Sequence, residues 1–202
     1  MRSAFSSPSN KKQTSSADAD NAMPDALENL SENDPTGTLA LGMQDMTAMM
    51  LGQYHLADIF KLVAELFYRT ALFDHVLICV LDRPSQTLVG RVGLGQKSAQ
   101  MRGAFRIPLA FAPDVFHAAI TNGQDIMISD AMADNIRSRI PEWYRHTFQA
   151  RSFILFPIMV KNKPLGLIYA DMVKQTKPVS SQLLGLLKAL RNQASLAVQL
   201  KI

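Results

Sequence analysis

FPIMVKNKPLGLIYAD, residues 156–171, is an apolar run, a short basic turn, and a second apolar run that ends on an acid. Lys161-Asn162-Lys163 supplies the reversal, because Asn takes a positive φ at little cost. Pro164 then stands at the first position of a strand, where a missing N–H is tolerated. Gly166 leaves space for a neighbouring backbone or a large side chain. Asp171 reads as a turn or capping residue at a strand end. The pattern predicts two strands, 152–160 and 165–172, paired as a hairpin and buried on at least one face.

Upstream, HVLICVLDRPSQTLVGRVGLG (75–95) predicts a second hairpin, with strands at 75–82 and 87–92 around the turn Asp82-Arg83-Pro84-Ser85. Short strands follow at 104–109 and 125–129. Between them a helix is expected, with Pro113 near its first turn and Gly123 just past its end. Residues 130–150 are mixed, and Pro141 interrupts any single helix there.

Helices flank this β-rich stretch. Leu56, Ile59, Val63 and Leu66 recur at helical spacing, and Gly52 predicts two pieces, 41–50 and 54–71. A last helix over 181–200 carries a stripe of Leu183, Leu187, Leu190, Ala194 and Ala197, with Ser180 or Ser181 as N-cap. Hairpin connections imply a mainly antiparallel sheet, and terminal helices can share one of its faces. The fold class is α+β.

Composition narrows the function. The chain has 202 residues, 48% hydrophobic and 19% charged, enough for one domain and a tail. Residues 1–38, rich in Ser, Asn, Asp, Ala and Pro, read as a disordered linker or tail, and 39–202 as the domain. Residues 1–40 hold three basic and six acidic side chains, a net of −3; with +4 for the whole chain, the remainder carries +7. Those basic residues are scattered, with neither a dense run nor a helix-turn-helix pattern, so nucleic acid is not expected as a partner. One cysteine, Cys79, excludes a disulfide framework and a Cys-based zinc site. His55, His75, His117 and His146 show no ligand spacing, so no metal is expected. GRVGLGQ (90–96) lacks the third glycine and the Lys-Ser/Thr of a phosphate loop. No catalytic constellation emerges, and no enzyme activity is expected. No apolar run is long enough for a membrane span and no secretory leader is seen, so a soluble cytoplasmic protein is expected.

The order of these pieces resembles a GAF domain, related to the profilin and PAS folds. The resemblance rests on FRIPL (105–109), VFHAAITNGQDIMISD (115–130), RIPEWYR (139–145), RSFILFPIMVKNKPLGLIYAD (151–171) and LRNQASLAVQL (190–200). It is similar in particular to the variety found C-terminal to HDOD domains in bacterial signalling proteins. The resemblance implies about six antiparallel strands with the N- and C-terminal helices packed on one face. It implies a signal-transduction module that senses a small ligand, or a ligand-independent interaction scaffold, with an upstream signalling domain or partner protein. The cyclic-nucleotide pattern of the family is absent, since Asn162-Lys163 is an isolated dipeptide. Cys79 lies in a strand rather than in the helical wall where bilins attach. Family members that reduce free methionine sulfoxide need several cysteines. No cofactor is expected, haem at His146 being the weaker reading.

In the family fold, residues 128–153 roof a cavity over the sheet. Ile136, Ile140, Trp143, Tyr144 and Phe148 are candidate apolar walls, and Asp130, Arg139 and Ser152 candidate polar contacts, for a small ligand. The alternative is that these aromatics fill the cavity themselves. Met43, Met46, Met49 and Met50 likewise admit two readings: intramolecular packing, or the seam of a homodimer through the terminal helices.

Overall fold

The computed structural model describes residues 34–148, 150–173 and 178–202. The first helix, α1 (Pro35–Leu51), starts four residues ahead of the expected boundary at Leu39. The Asp34 side chain accepts the Gly37 N–H at 3.2 Å, and Pro35 occupies the first turn, where it has no N–H to waste. The expected disorder of the preceding residues, 1–33, lies outside the described residues. Gly52 ends α1, and α2 (Leu56–Arg69) follows, so both expected helical pieces form.

Six strands make one antiparallel sheet in the order β3-β2-β1-β6-β5-β4. They are β1 (His75–Asp82), β2 (Thr87–Gly95), β3 (Arg106–Pro108), β4 (Ile126–Ile128), β5 (Ser152–Val160) and β6 (Lys163–Met172). Helix α3 (Ser98–Ala104) was not apparent in the sequence, which led from the strand expected at 87–92 to the one expected at 104–109. Helix α4 (Val115–Asn122) begins after Pro113, not around it, because Asp114 is the N-cap; Gly123 closes it at φ 63°. Helices α5 (Asp134–Arg137) and α6 (Glu142–Thr147) form on either side of Pro141. The chain ends on α7 (Ser181–Gln199), capped by Ser180.

The β5–β6 hairpin closes with Val160 opposite Lys163, and Lys161 and Asn162 both take positive φ (49° and 61°). That two-residue turn has the twist of a hairpin. Pro164 is the second residue of β6, opposite Met159 at a register shift. Gly166 is required by proximity: a Cβ there would stand 2.8 Å from the Cys79 carbonyl oxygen on β1.

Alternation along the strands divides the apolar side chains between two layers. Val76, Ile78, Ile154, Phe156, Ile158, Ile168, Ala170 and Met172 pack under α1, α2 and α7. The α7 stripe of Leu183, Leu187, Leu190, Ala194 and Ala197 is wholly buried there, beside Val63, Leu66 and Phe67 of α2. Each buried aliphatic side chain contributes about 1.5–3 kcal/mol. Leu77, Cys79, Phe153, Leu155, Leu167 and Tyr169 point to the opposite face, under the loops and short helices of residues 98–148. The terminal helices therefore share one face of the sheet, and the roof segment covers the other.

Candidate functional site

The roof interior is built from rings. Phe105, just after α3, lies 4.7 Å from Tyr169, 5.1 Å from Phe148 and 5.4 Å from Trp143, centroid to centroid. Phe116 of α4 stacks on Phe153 of β5 at 5.8 Å and tilts against Trp143 at 5.3 Å. Tyr144 of α6 sits 5.0 Å from Phe153 and 5.2 Å from Phe148. Most of these pairs are tilted or edge-to-face, the arrangement the ring quadrupole favours, at about 0.5–1.5 kcal/mol each beyond burial. Of these rings only Trp143 is more than marginally exposed. Of the two alternatives for the roof, self-filling by aromatics matches the observed packing.

The residues expected to line a pocket are consequently not one site. Ile140, Tyr144 and Phe148 are buried in the ring cluster, with Ile136 and Trp143 packed on its edge. Asp130 lies at the surface, where it accepts the Met132 N–H at 3.0 Å and an Arg151 N–H at 3.1 Å. The Met132 contact leads the causes that hold its carboxyl below the usual range. Arg139 is exposed, and its backbone carbonyl accepts the Val115 N–H at 3.0 Å. Ser152 is buried, but it alternates with Phe153 and so shares the helix-side face with Ile154. Its Oγ has no hydrogen-bond partner among the described residues.

Polar order in the roof comes from residues to which the sequence reading gave other roles or none. Asp171 was expected to be a turn or capping residue at a strand end; it is the next-to-last residue of β6, but it is 1% exposed and on the roof side. It faces its cross-strand partner His75, whose Nδ1–H donates to Oδ1 at 2.8 Å. The Tyr169 hydroxyl donates to Oδ2 at 2.6 Å. Since that hydrogen is committed, the Tyr144 hydroxyl is the donor in its 2.9 Å contact with Tyr169. Burial pushes both phenols above their ordinary range, so they remain protonated donors. The hydrogen bond to Asp171 raises the His75 pKa above its usual value, against the opposing effect of burial. A signal for this chain was present in the sequence: Leu167, Tyr169 and Asp171 share one face by period two.

A second polar group holds the start of α4. Asp114 Oδ1 accepts the N–H groups of Phe116 and His117, both at 2.9 Å, and Oδ2 meets His117 Nδ1 at 2.8 Å. His117 Nε2 donates to the Pro108 carbonyl at 2.9 Å, which ties α4 to the end of β3. His146, the candidate haem ligand, is exposed and sits one helical turn from Glu142. Cys79 is buried and its thiol is pushed up to about 12 by desolvation. Among the described residues no three His, Cys, Asp or Glu side chains cluster as metal ligands.

On the opposite face an apolar groove of about 570 Å³ runs between the terminal helices, lined by Ala40, Met43, Gln44, Thr47, Ala48 and Leu51 of α1 with Leu186 and Gln193 of α7. Of the α1 methionines, Met46 is fully buried, while Met43 is half-buried and borders the groove. Leu51 at its end is 86% exposed. No helix among the described residues is long and apolar enough to cross a membrane.

A six-stranded antiparallel sheet with terminal helices on one face and a roof of loops and short helices on the other is the architecture on which a model of the GAF domain matches residues 55–198. The chain belongs to the GAF family. GAF domains are regulatory and sensor modules of signalling proteins. Similar solved structures agree in fold. One is the GAF domain of an Acinetobacter phosphoenolpyruvate-protein phosphotransferase (18% identity, TM-score 0.63, covering 80% of this chain and 90% of that one). Another is residues 122 to 287 of a methyl-accepting chemotaxis protein (21%, 0.62, 76% and 94%). A third is the reduced form of fRMsr of Staphylococcus aureus (14%, 0.60, 79% and 94%). A search among curated proteins gives no match.

Proposed function

We propose that this GAF domain is a non-enzymatic regulatory module that works without a small ligand in its roof and pairs with a second copy through α1 and α7. The observation that carries the reading is the contrast between the two faces. The roof is filled by its own rings, whereas the helix side keeps an open apolar groove with no charged residue in its lining. In a two-fold dimer each copy would offer both this groove and the exposed Leu51 beside it, with no like charges brought together there. One structural neighbour is fRMsr. Here the single thiol is buried and held protonated, which is the opposite of what a nucleophile needs. The setting that fits is a cytoplasmic signalling protein, with an upstream domain of the HDOD kind as the expected source or target of the signal.

Light scattering at tens of micromolar tests the pairing. A dimer is expected, and Ala48→Glu, which sets a charge in the groove without touching the core, is expected to give a folded monomer. A wild-type monomer, or a dimer unmoved by Ala48→Glu, refutes the interface. A thermal-shift panel of nucleotides, amino acids and haem tests the empty-handed roof: a saturable shift accompanied by a change in Trp143 fluorescence would restore the sensor reading.

A further inference from the structure

The chain His75–Asp171–Tyr169–Tyr144 runs from the rim of the sheet to α6 in the roof, crossing from β1 to β6 and from β6 to α6. His75 opens β1 and its side chain is 16% exposed, so protons reach it from solvent. Asp171 is 2% exposed at its side chain and stands directly opposite His75 in the ladder. Tyr169 is fully buried two residues before it, and Tyr144 is the only member that belongs to the roof. The charged groups facing the imidazole are Asp171 from β6 and Asp74 from the loop before β1; the Gln96 backbone, beyond the end of β2, adds a hydrogen bond that also favours the charged ring. Asp74 is itself engaged, accepting the Val173 N–H at 2.6 Å.

We propose that His75 is the input of a proton-operated latch: with the imidazole charged, α6 is held to the sheet through Asp171, Tyr169 and Tyr144, and loss of that charge loosens the roof. The physical reason is compensation. A buried carboxylate beside an imidazolium is half of a neutral pair; beside a neutral imidazole it is an uncompensated buried charge, which is expensive unless water reaches it. Ladder pairing fixes Asp171 and His75 on β6 and β1, so the part free to yield is the short helix that reaches the chain through one phenol. Asp171 raises the His75 pKa, so the charged pair is complete below that raised value and the latch weakens as pH rises through it. One linked proton changes the closed-to-open ratio by at most about tenfold per pH unit. Such a latch would let the module respond to pH, and it is independent of the proposed pairing.

Acrylamide quenching of Trp143, the only tryptophan, reads the roof directly, because its ring packs on Phe105 and Phe116. The intact chain is measured from pH 5.5 to 8.5, with the His75 titration followed by NMR. Quenching is expected to rise with pH along the His75 titration. His75→Gln, which keeps a neutral donor, is expected to flatten the profile. Tyr144→Phe is expected to leave the His75 titration in place while removing the response of Trp143. His146→Gln controls for the exposed imidazole three residues from the probe and is expected to change nothing. A flat wild-type profile overturns the latch. So does a response that persists in Tyr144→Phe, or one that disappears in His146→Gln. Where His75→Gln fails to fold, the Tyr144→Phe comparison decides alone.

Discussion

Phe105→Ala is the most direct test of a self-filled roof. Phe105 is fully buried and touches Phe116, Trp143, Phe148 and Tyr169 at centroid distances of 6.0, 5.4, 5.1 and 4.7 Å. Truncation removes a whole ring from a close-packed cluster and leaves a cavity its neighbours refill only in part. The expected loss is about 3–5 kcal/mol. For a domain of this size each kcal/mol corresponds to roughly 2–4 °C, so the melting temperature is expected to fall by about 6–20 °C. Urea unfolding followed by Trp143 emission and far-UV circular dichroism measures both the loss and its cooperativity. The new space is apolar and ring-shaped, so benzene or indole is expected to recover part of the stability in Phe105→Ala and none in the wild type. A loss under about 1 kcal/mol would refute the packing argument, since it is less than the transfer energy of the ring alone. Equal stabilisation of both proteins by the aromatic ligand would show that the wild-type roof already holds a cavity.

Four further outcomes are expected. Gly166→Ala places a Cβ 2.8 Å from the Cys79 carbonyl oxygen, in the central β1–β6 pair, and should cost about 1–3 kcal/mol in urea unfolding; unchanged stability would mean the strands are not so close. Asp114→Ala removes the α4 cap and leaves His117 without its carboxylate, so a loss of about 1–3 kcal/mol is expected, with faster amide exchange at Phe116 and His117. Arg191→Met breaks contacts of 2.8 and 3.3 Å to Asp125 and one of 3.0 Å to the Pro157 carbonyl; about 1–3 kcal/mol should be lost, and the loss should shrink in Asp125→Asn. The urea midpoint of the wild type should fall as pH rises from about 6.5 through the raised His75 value, and His75→Gln should remove that slope.

Legibility differed by region for physical reasons. The β5–β6 hairpin was readable because alternation, an Asn in the turn and a Pro near a strand start are local facts, and local facts decided it. The α7 stripe was readable because five apolar residues at helical spacing have one common side. Helix α3 was hidden because Gly103 and a short length give it little propensity of its own; it closes through Met101 and Phe105 packing under the sheet. The structure separates the candidate pocket residues for an instructive reason. Ile140, Tyr144 and Phe148 do face the sheet, but whether apolar residues line a space or fill it depends on what arrives from elsewhere. Asp130, Arg139 and Ser152 were grouped with them by sequence proximity, and short helices on either side of Pro141 turn Arg139 outward.

The sequence by itself determined the α+β class and most of the element order, because periodicity, caps and turns act over a few residues; the GAF likeness rested on the order of its motifs. Only the tertiary structure decided how the roof packs. Its rings come from positions 105, 116, 143, 144, 148, 153 and 169, and no local pattern states that seven side chains so far apart meet in one volume. Likewise Asp171 looked like a turn or capping residue until His75, 96 residues earlier in the chain, was found opposite it and Tyr169 beside it. A buried charge acquires its meaning from its partners, and here the partners are supplied by the sheet.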